Sequence, residues 1–419
     1  MTASATADLA IVGGGMVGAS LAVMLAPLGL SIALIEAQPV ESAAQPSFDA
    51  RTTALSNGTR KILSTMGVWD AVAAEATPIR SIHISERGRL GRAVIDAAEQ
   101  SLPAMGYVLP NRVLGRELWR RLAGVPGVVV HSPATVTAVS ADEQAVTVAW
   151  EQMGIASSVS ARLVVAADGA NSLVRTGSGL GATRRDYAQC AIVTSASPSQ
   201  FHEHVAYERF TDEGPVAVLP LGDGRCAIVL TLPPEAATAA MQLDDAGFLD
   251  LVQARFGWRL GRLTALGRRD CYPLALTEAE DNVAARTVLV GSAAQGLHPI
   301  AGQGFNLALR DAATLAEVIA DSALAAAPDE RRDPGAPALL ERYRDWRERD
   351  RRVLISFTDG LVRLFASPLP PLRFARSLGL LAFDLSPSAK SAMSGLSRGF
   401  ATAQPRLARG LPLVGGLVS

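Results

Sequence analysis

Near the start of the chain, Gly13-Gly14-Gly15-Met16-Val17-Gly18 fits the pattern G-x-G-x-x-G. Each glycine has its own task if the ligand carries a pyrophosphate. Gly13 makes a tight turn, Gly15 lets backbone approach the phosphates, and Gly18 lets a helix pack closely on a strand. A helix that begins at this turn offers free N–H groups and a positive dipole end to the anion. Glu36 follows 18 residues after Gly18, where a carboxylate accepts hydrogen bonds from an adenosine ribose. The glycines and the acid together predict dinucleotide binding, which a ligand-free glycine turn leaves unexplained. The pattern alone does not choose between FAD and NAD.

Two later segments carry related chemistry. Asp168-Gly169 follows the apolar run Arg162–Ala167, and Ser292 follows the run Thr287–Gly291. Asp168 either faces a cofactor or caps the turn after its strand. His298-Pro299 precedes a glycine-rich turn, Gly302-Gln303-Gly304, that opens a helix. His298 is a candidate for catalysis or a residue that shapes its loop, and Pro299 fixes the backbone there. Cys190, Cys226 and Cys271 are far apart and odd in number. They make no metal spacing and no disulfide framework, which predicts buried small apolar side chains in a reducing compartment.

The elements that must position these residues follow from periodicity. Leu9-Ala-Ile-Val12 reads as a strand, Met16 to Leu28 as a helix stopped at Gly29, and Ser31 to Glu36 as a second strand. Near-continuous apolar strands of this kind suit a parallel sheet buried on both faces. The runs ending at Asp168 and Ser292, with a helix over about 304–320, complete one nucleotide domain from three scattered pieces. Residues 187–276 alternate instead. Pro215–Leu221 and Arg225–Leu230 flank an Asp223-Gly224 turn signal, so this stretch predicts an inserted, mostly antiparallel sheet. Residues 321–338 read as a surface linker, and the remainder as helical.

Length and composition set outer limits. The 419 residues suit two interleaved domains plus an appendage, and 49% hydrophobic content allows a large core. A net charge of -1 gives no reason to expect a nucleic-acid partner. Of 39 basic residues only Lys61 and Lys390 are lysines, a mark of a GC-rich genome, not of chemistry. The N-terminal stretch lacks a basic region ahead of its apolar run, and no charge-free run of 18 or more apolar residues exists. The reading is therefore of no signal peptide and no membrane span.

Three motifs carry a resemblance. Asp168-Gly169-Ala170-Asn171-Ser172 with Arg175 resembles the D-G motif of flavoprotein hydroxylases of the p-hydroxybenzoate hydroxylase class. Ser292 through Asp311 resembles their later G-D motif, and His-Pro-Ile-Ala-Gly-Gln-Gly-Phe-Asn-Leu is its most specific piece. Gly214-Pro215 through Leu221, and Tyr272-Pro273-Leu274, resemble the ubiquinone-pathway branch of the 2-polyprenyl-6-methoxyphenol hydroxylase type. Tyr272 itself reads equally as an aromatic wall or as core.

The resemblance implies FAD as cofactor. It places Arg51 at the FAD phosphates or ribityl region, where the bare sequence would read a solvated surface arginine, and Asn111 near the ribityl hydroxyls. It lays the segment with Pro299, Gly302 and Gly304 along the flavin, and the N–H groups of Phe305 and Asn306 at the pyrimidine oxygen. A helix N-terminus there suits a reduced flavin, which is anionic around N1 and C2. One position departs from the family. Ser292 stands where aspartate usually holds a ribityl hydroxyl, and Gln295 where histidine is common. Serine keeps one hydrogen bond but loses the charge-assisted one, which implies weaker FAD retention.

The implied reaction takes NAD(P)H, O₂ and a polyprenylated phenol to a ring-hydroxylated product through a C4a-hydroperoxyflavin. No second nucleotide fingerprint exists for NAD(P)H, which suits transient binding of that co-substrate. The expected fold is α/β: a Rossmann-like FAD-binding domain (1–76, 101–186 and 277–340), an inserted, mostly antiparallel β-sheet substrate domain (77–100 and 187–276), and a C-terminal helical segment (341–419). From Arg351 to Ser419 there are nine basic residues and two acidic ones, Asp359 and Asp384. That segment reads either as a helical cap or as a peripheral contact with anionic lipid on the inner face of the cytoplasmic membrane. A ubiquinone-biosynthesis protein complex is a further expected partner. The competing readings are a same-fold flavoprotein acting on another aromatic or reducing an isoprenoid, a non-catalytic prenyl-lipid-binding subunit, and a plain NAD dehydrogenase.

Overall fold

Strand Ala5–Val12 is fully apolar over its second half because it lies inside a sheet covered on both faces. It pairs in parallel with Ile32–Ile35 on one side and Ile155–Ala166 on the other, with Leu9 level with Ile32 and Leu163. Thr287–Leu289 and Val128–His131 extend the two sides in parallel. The hairpin strands Thr135–Ala141 and Val146–Gln152 join the early half of Ile155–Ala166. The computed structural model describes residues 5–40, 51–89, 91–299, 302–324, 333–366 and 403–414, with scattered positions between 379 and 395.

Helix Met16–Leu25 packs its leucines on this sheet and against helix Gly304–Leu324. Leu21 and Leu25 are fully buried, each worth about 1.5–3 kcal/mol by area. The helix ends three residues before the expected Leu28. Ala26–Leu28 tightens into a 3₁₀ turn, because Pro27 has no N–H to continue the α pattern. Gly29 then closes it in the left-handed region at φ 64°.

The second sheet has nine strands. Its central strand, Ala182–Pro198, pairs antiparallel with Asp270–Ala279 and with Cys226–Leu232. Pro215–Pro220, Val205–Phe210, Ser81–Glu86 and Arg92–Asp96 follow outward. Only Val205–Phe210 against Ser81–Glu86 is parallel among the pairs described. The expected hairpin forms, with Pro220 opposite Cys226 and Asp223 and Gly224 at φ 56° and 67° in its turn. One face of this sheet packs on helices Pro234–Gln242 and Asp245–Phe256. Thr52–Ser56, Gly106–Pro110 and Thr77–Ile79 form a third, antiparallel sheet.

Two sequence expectations need correction. Residues 321–324 and 337–338 are helical, so the linker is shorter than 321–338. Helix Gly304–Leu324 runs on through apolar residues, and Pro337 opens the helix Pro337–Ala366 at the position where a missing N–H is harmless. Residues 325–332 of the linker lie outside the described residues, as do Ile300 and Ala301 of the third motif. Cys226 is buried as expected, but Cys271 is exposed and Cys190 half-buried. Cys190 packs against the apolar cluster beneath the two helices without being covered by it, and Cys271 stands at the start of Asp270–Ala279, directly after the charged run Arg268–Asp270. No helix among the described residues is long and apolar enough to cross a membrane.

Candidate cofactor and substrate site

The glycine turn is built so tightly that two of its glycines are obligatory. A Cβ on Gly13, at φ 99°, would stand 2.4 Å from the Ala167 carbonyl oxygen, and one on Gly18 would stand 1.9 Å from that of Gly13. Gly15 caps the helix in an extended conformation that any residue adopts, so no left-handed strain reserves the position for glycine. No side chain caps this helix and no acid occupies its first turn. Its N–H groups are therefore presented to an anion. Glu36 is buried and accepts from the Gly14 N–H at 2.5 Å and the Gln38 N–H at 2.8 Å. It braces the turn while keeping acceptor capacity for a ribose hydroxyl.

Asp168 performs the capping role and leaves room for the other. Its Oδ2 accepts from the N–H groups of Leu173 at 2.9 Å and Val174 at 3.2 Å, at the start of the short helix Leu173–Gly177. Its Oδ1 is buried without a hydrogen-bond partner among the described residues. Burial pushes the carboxyl above its usual range, against the hydrogen bond from Ser172. A buried acceptor with nothing to accept from fits a cofactor hydroxyl. Arg175 donates to the carbonyls of Ala293 at 2.8 Å and Ala170 at 2.9 Å, which ties this turn to the turn Gly291–Ala293. Ser292 is exposed in that second turn.

A cavity of about 810 Å³ opens between the third sheet, the free face of the second sheet and the start of helix Gly304–Leu324. Arg51, His298, Pro299, Gly302, Gly304, Phe305 and Asn306 all line it. The Arg51 guanidinium lies over the Tyr272 ring at 5.0 Å, so Tyr272 is a cavity wall. The Asn306 side chain is fully committed elsewhere. Its Oδ1 accepts from Ser56 N–H at 2.8 Å and Thr59 Oγ1 at 2.7 Å, and its Nδ2 donates to Ala54 and Gly302 carbonyls. What it can offer a ligand is backbone. Leu307 N–H bonds to the Gln303 carbonyl, so Phe305 and Asn306 fall in the first turn, where helix geometry leaves donors over.

Asn111 does not line the cavity. It is buried at the start of helix Asn111–Leu122, its Oδ1 accepts from Thr53 Oγ1 at 2.7 Å, and its N–H donates to the Arg51 carbonyl at 2.9 Å. It holds the strand that carries Arg51 and Thr53. His298 is almost wholly buried against Tyr187, edge to face at 5.1 Å. Burial lowers its pKa to about 4, so the ring is neutral at ordinary pH.

The remaining wall is the free face of the second sheet, which supplies Ile84, Ala206, Leu219 and Val229. Sequence reading did not reach these substrate-side positions. Glu208 stands among them as the one carboxylate among the described residues that line the cavity. The side chain's remaining exposure is toward the cavity, and burial on its other sides lifts its pKa to about 7. The available signal was a lone acid in phase with inward-facing Ala206 and Phe210 along Val205–Phe210.

A family model described as FAD binding domain matches residues 6–353. Ubiquinone hydroxylase UbiL of Rhodospirillum rubrum is 37% identical over 98% of this chain and 95% of its own length. The 3-demethoxyubiquinol 3-hydroxylase of Escherichia coli is 34% identical over 90% of this chain and 94% of its own. The human mitochondrial ubiquinone biosynthesis monooxygenase COQ6 is 28% identical over 93% and 92%. In fold, the chain matches p-nitrophenol 4-monooxygenase PnpA of Pseudomonas putida at a TM-score of 0.78 and 19% identity, over 96% of this chain and all of that one. An uncapped helix N-terminus over a glycine turn, an orphaned buried acceptor and a glycine-lined cavity together fit FAD. The chain belongs to the FAD-dependent aromatic monooxygenases of ubiquinone biosynthesis.

Proposed function

We propose that this chain hydroxylates the ring of a polyprenylated phenol in ubiquinone biosynthesis, at the expense of NAD(P)H and O₂. The observation that carries this reading is the cavity. It is large, walled mainly by apolar side chains, and meets the glycine-rich start of helix Gly304–Leu324 at one end. The chemistry FAD supplies when bound is hydride acceptance from NAD(P)H and activation of O₂.

The chain's own residues bind and orient. Gly13, Gly15 and Gly18 receive the pyrophosphate on the first helix, and Glu36 receives the adenosine ribose. Asp168, Ser292 and Arg51 hold the middle of the cofactor, with Asn111 bracing Arg51 from behind. Pro299, Gly302 and Gly304 keep the ring's surroundings thin, and the Phe305 and Asn306 N–H groups meet its electron-rich edge. His298 acts as a neutral, buried support for this loop. The apolar sheet face excludes water from the reacting ring. The division into an FAD-binding part and an inserted substrate part follows the first and second sheets.

The C-terminal segment reads as the route to lipid. Leu364, Gly379, Leu380 and Phe383 line the cavity, and Leu364 and Leu385 are 42% and 83% exposed. An apolar rim, in a segment whose sequence carries an excess of basic residues, suits a prenyl tail entering from an anionic bilayer, with the protein peripheral on its cytoplasmic side. Membership of a ubiquinone-biosynthesis complex would serve the same hand-over.

The test is direct. The FAD-reconstituted protein, given a 2-polyprenylphenol, NAD(P)H and O₂, should yield a product heavier by one oxygen. Bound flavin with NAD(P)H oxidation but no oxygenated product from any such phenol would reject the substrate class. Sedimentation with anionic but not neutral vesicles tests the membrane contact.

A further inference from the structure

We propose that the Glu208 carboxylate takes the phenolic proton of the ring being hydroxylated. The inference rests on the aromatic-hydroxylation reading and adds to it a named proton acceptor. Glu208 faces Ala217 and Ile84 on its two neighbouring strands, so apolar side chains flank it within the sheet. It also shares a second, small void of about 10 Å³ with His298 and Pro299, the loop assigned to the flavin. The carboxyl therefore sits at the sheet wall beside the flavin-side loop, and both line the larger cavity that a bound ring would occupy.

No cation among the described residues compensates it. Burial alone accounts for its raised pKa, and no hydrogen bond or ion pair to it exists among the described residues. A lone carboxyl in an apolar wall is costly for the fold and unexplained by it. His298 is the weaker acceptor, because burial lowers its pKa to about 4 and its ring is packed on Tyr187. A base whose pKa lies near the working pH is the form that transfers protons best.

The phenolic O–H bond breaks and a Glu208 O–H bond forms, which makes the ring more electron-rich at its ortho and para carbons. One of those carbons forms a bond to an oxygen atom derived from O₂. The other oxygen atom leaves as water, with two electrons supplied by NAD(P)H. The dienone so formed loses the proton from its tetrahedral carbon to solvent, and Glu208 returns its proton to the phenolic oxygen. The ring is again aromatic and the carboxylate is regenerated.

The test uses the FAD-loaded full chain, a 2-polyprenylphenol with a short tail, NAD(P)H and O₂. Wild-type kcat for oxygenated product should rise with pH through a limb near about 7. Glu208→Gln should retain its flavin, lose about 100-fold or more in kcat, keep KM within a few-fold, and lose that limb. A ring-fluorinated, more acidic phenol should recover rate in Glu208→Gln far more than in wild type, which a packing role would not produce. A wild-type profile without the limb, or a variant that hydroxylates at the wild-type rate, overturns the proposal. Failure of the wild type to oxygenate any phenol counts instead against the substrate reading, so the two failures are distinguishable.

Discussion

Gln295 Nε2 donates to Asp311 Oδ2 at 2.6 Å, within a fully buried ionic network. Arg347 Nε donates to the other Asp311 oxygen at 2.8 Å and its Nη2 reaches Asp350 at 2.7 Å, while Arg310 Nε meets Asp350 at 3.1 Å. Glutamine in the third motif is thus tied through its Nε2 to the charge network of helix Gly304–Leu324. The network joins that helix to Pro337–Ala366. It sets the pose of the helix end that faces the cavity.

Removing one member should leave an uncompensated buried charge. Arg347→Met is expected to destabilise the fold by about 3–5 kcal/mol, read as a lower denaturant midpoint. A loss under about 1 kcal/mol would show that the network is solvated in solution.

The glycine turn separates fold from ligand. Gly18→Ala forces a Cβ into the Gly13 carbonyl, so it should lower Tm and flavin content together. Gly15→Val places its side chain on extended backbone without left-handed strain, so it should fold and yet purify without FAD. Normal flavin content in Gly15→Val, measured by absorbance after denaturation, would sink the assignment of this turn to the pyrophosphate.

The legible parts of the fold were those governed by local rules. The first βαβ unit, the hairpin around Asp223-Gly224 and the helix from Gly304 follow from turn glycines and apolar periods. Asn306 was legible as part of the turn that opens its helix, but its side chain's grip on Ser56 and Thr59 was not, because those partners are about 250 positions away. Glu208 was invisible for a different reason. A single acid on a half-buried strand looks like a solvent-facing residue until the opposite wall of the cavity is known. The exposed Cys271 is the converse case, a small apolar side chain read as buried although it directly follows the charged run Arg268-Arg269-Asp270.

Ser292 offers a gain-of-function test. The family's usual aspartate accepts a charge-assisted hydrogen bond worth about 1 kcal/mol more than a neutral one. Ser292→Asp should therefore slow FAD release by about 5- to 10-fold, measured by flavin fluorescence on dilution. Faster release would mean that Ser292 lies away from the ribityl chain.

Glu208 also predicts how stability depends on pH. Burial raises its carboxyl from an ordinary value near 4.5 to about 7 in the folded protein. The folded state then holds this proton more tightly than the unfolded state, so its contribution is fully present below about 4.5 and lost as pH rises through about 7. The loss is about 2–3 kcal/mol after allowance for the side chain's exposure to the cavity. Glu208→Gln removes the titrating group. The cofactor-free variant should be more stable than wild type at pH 8 and nearly equal to it at pH 5 (both chosen to bracket the transition). Urea melts of both proteins at the two pH values decide it. Equal stability at pH 8 would place Glu208 in contact with water or a cation, and would remove the physical ground for a proton acceptor tuned by its apolar wall.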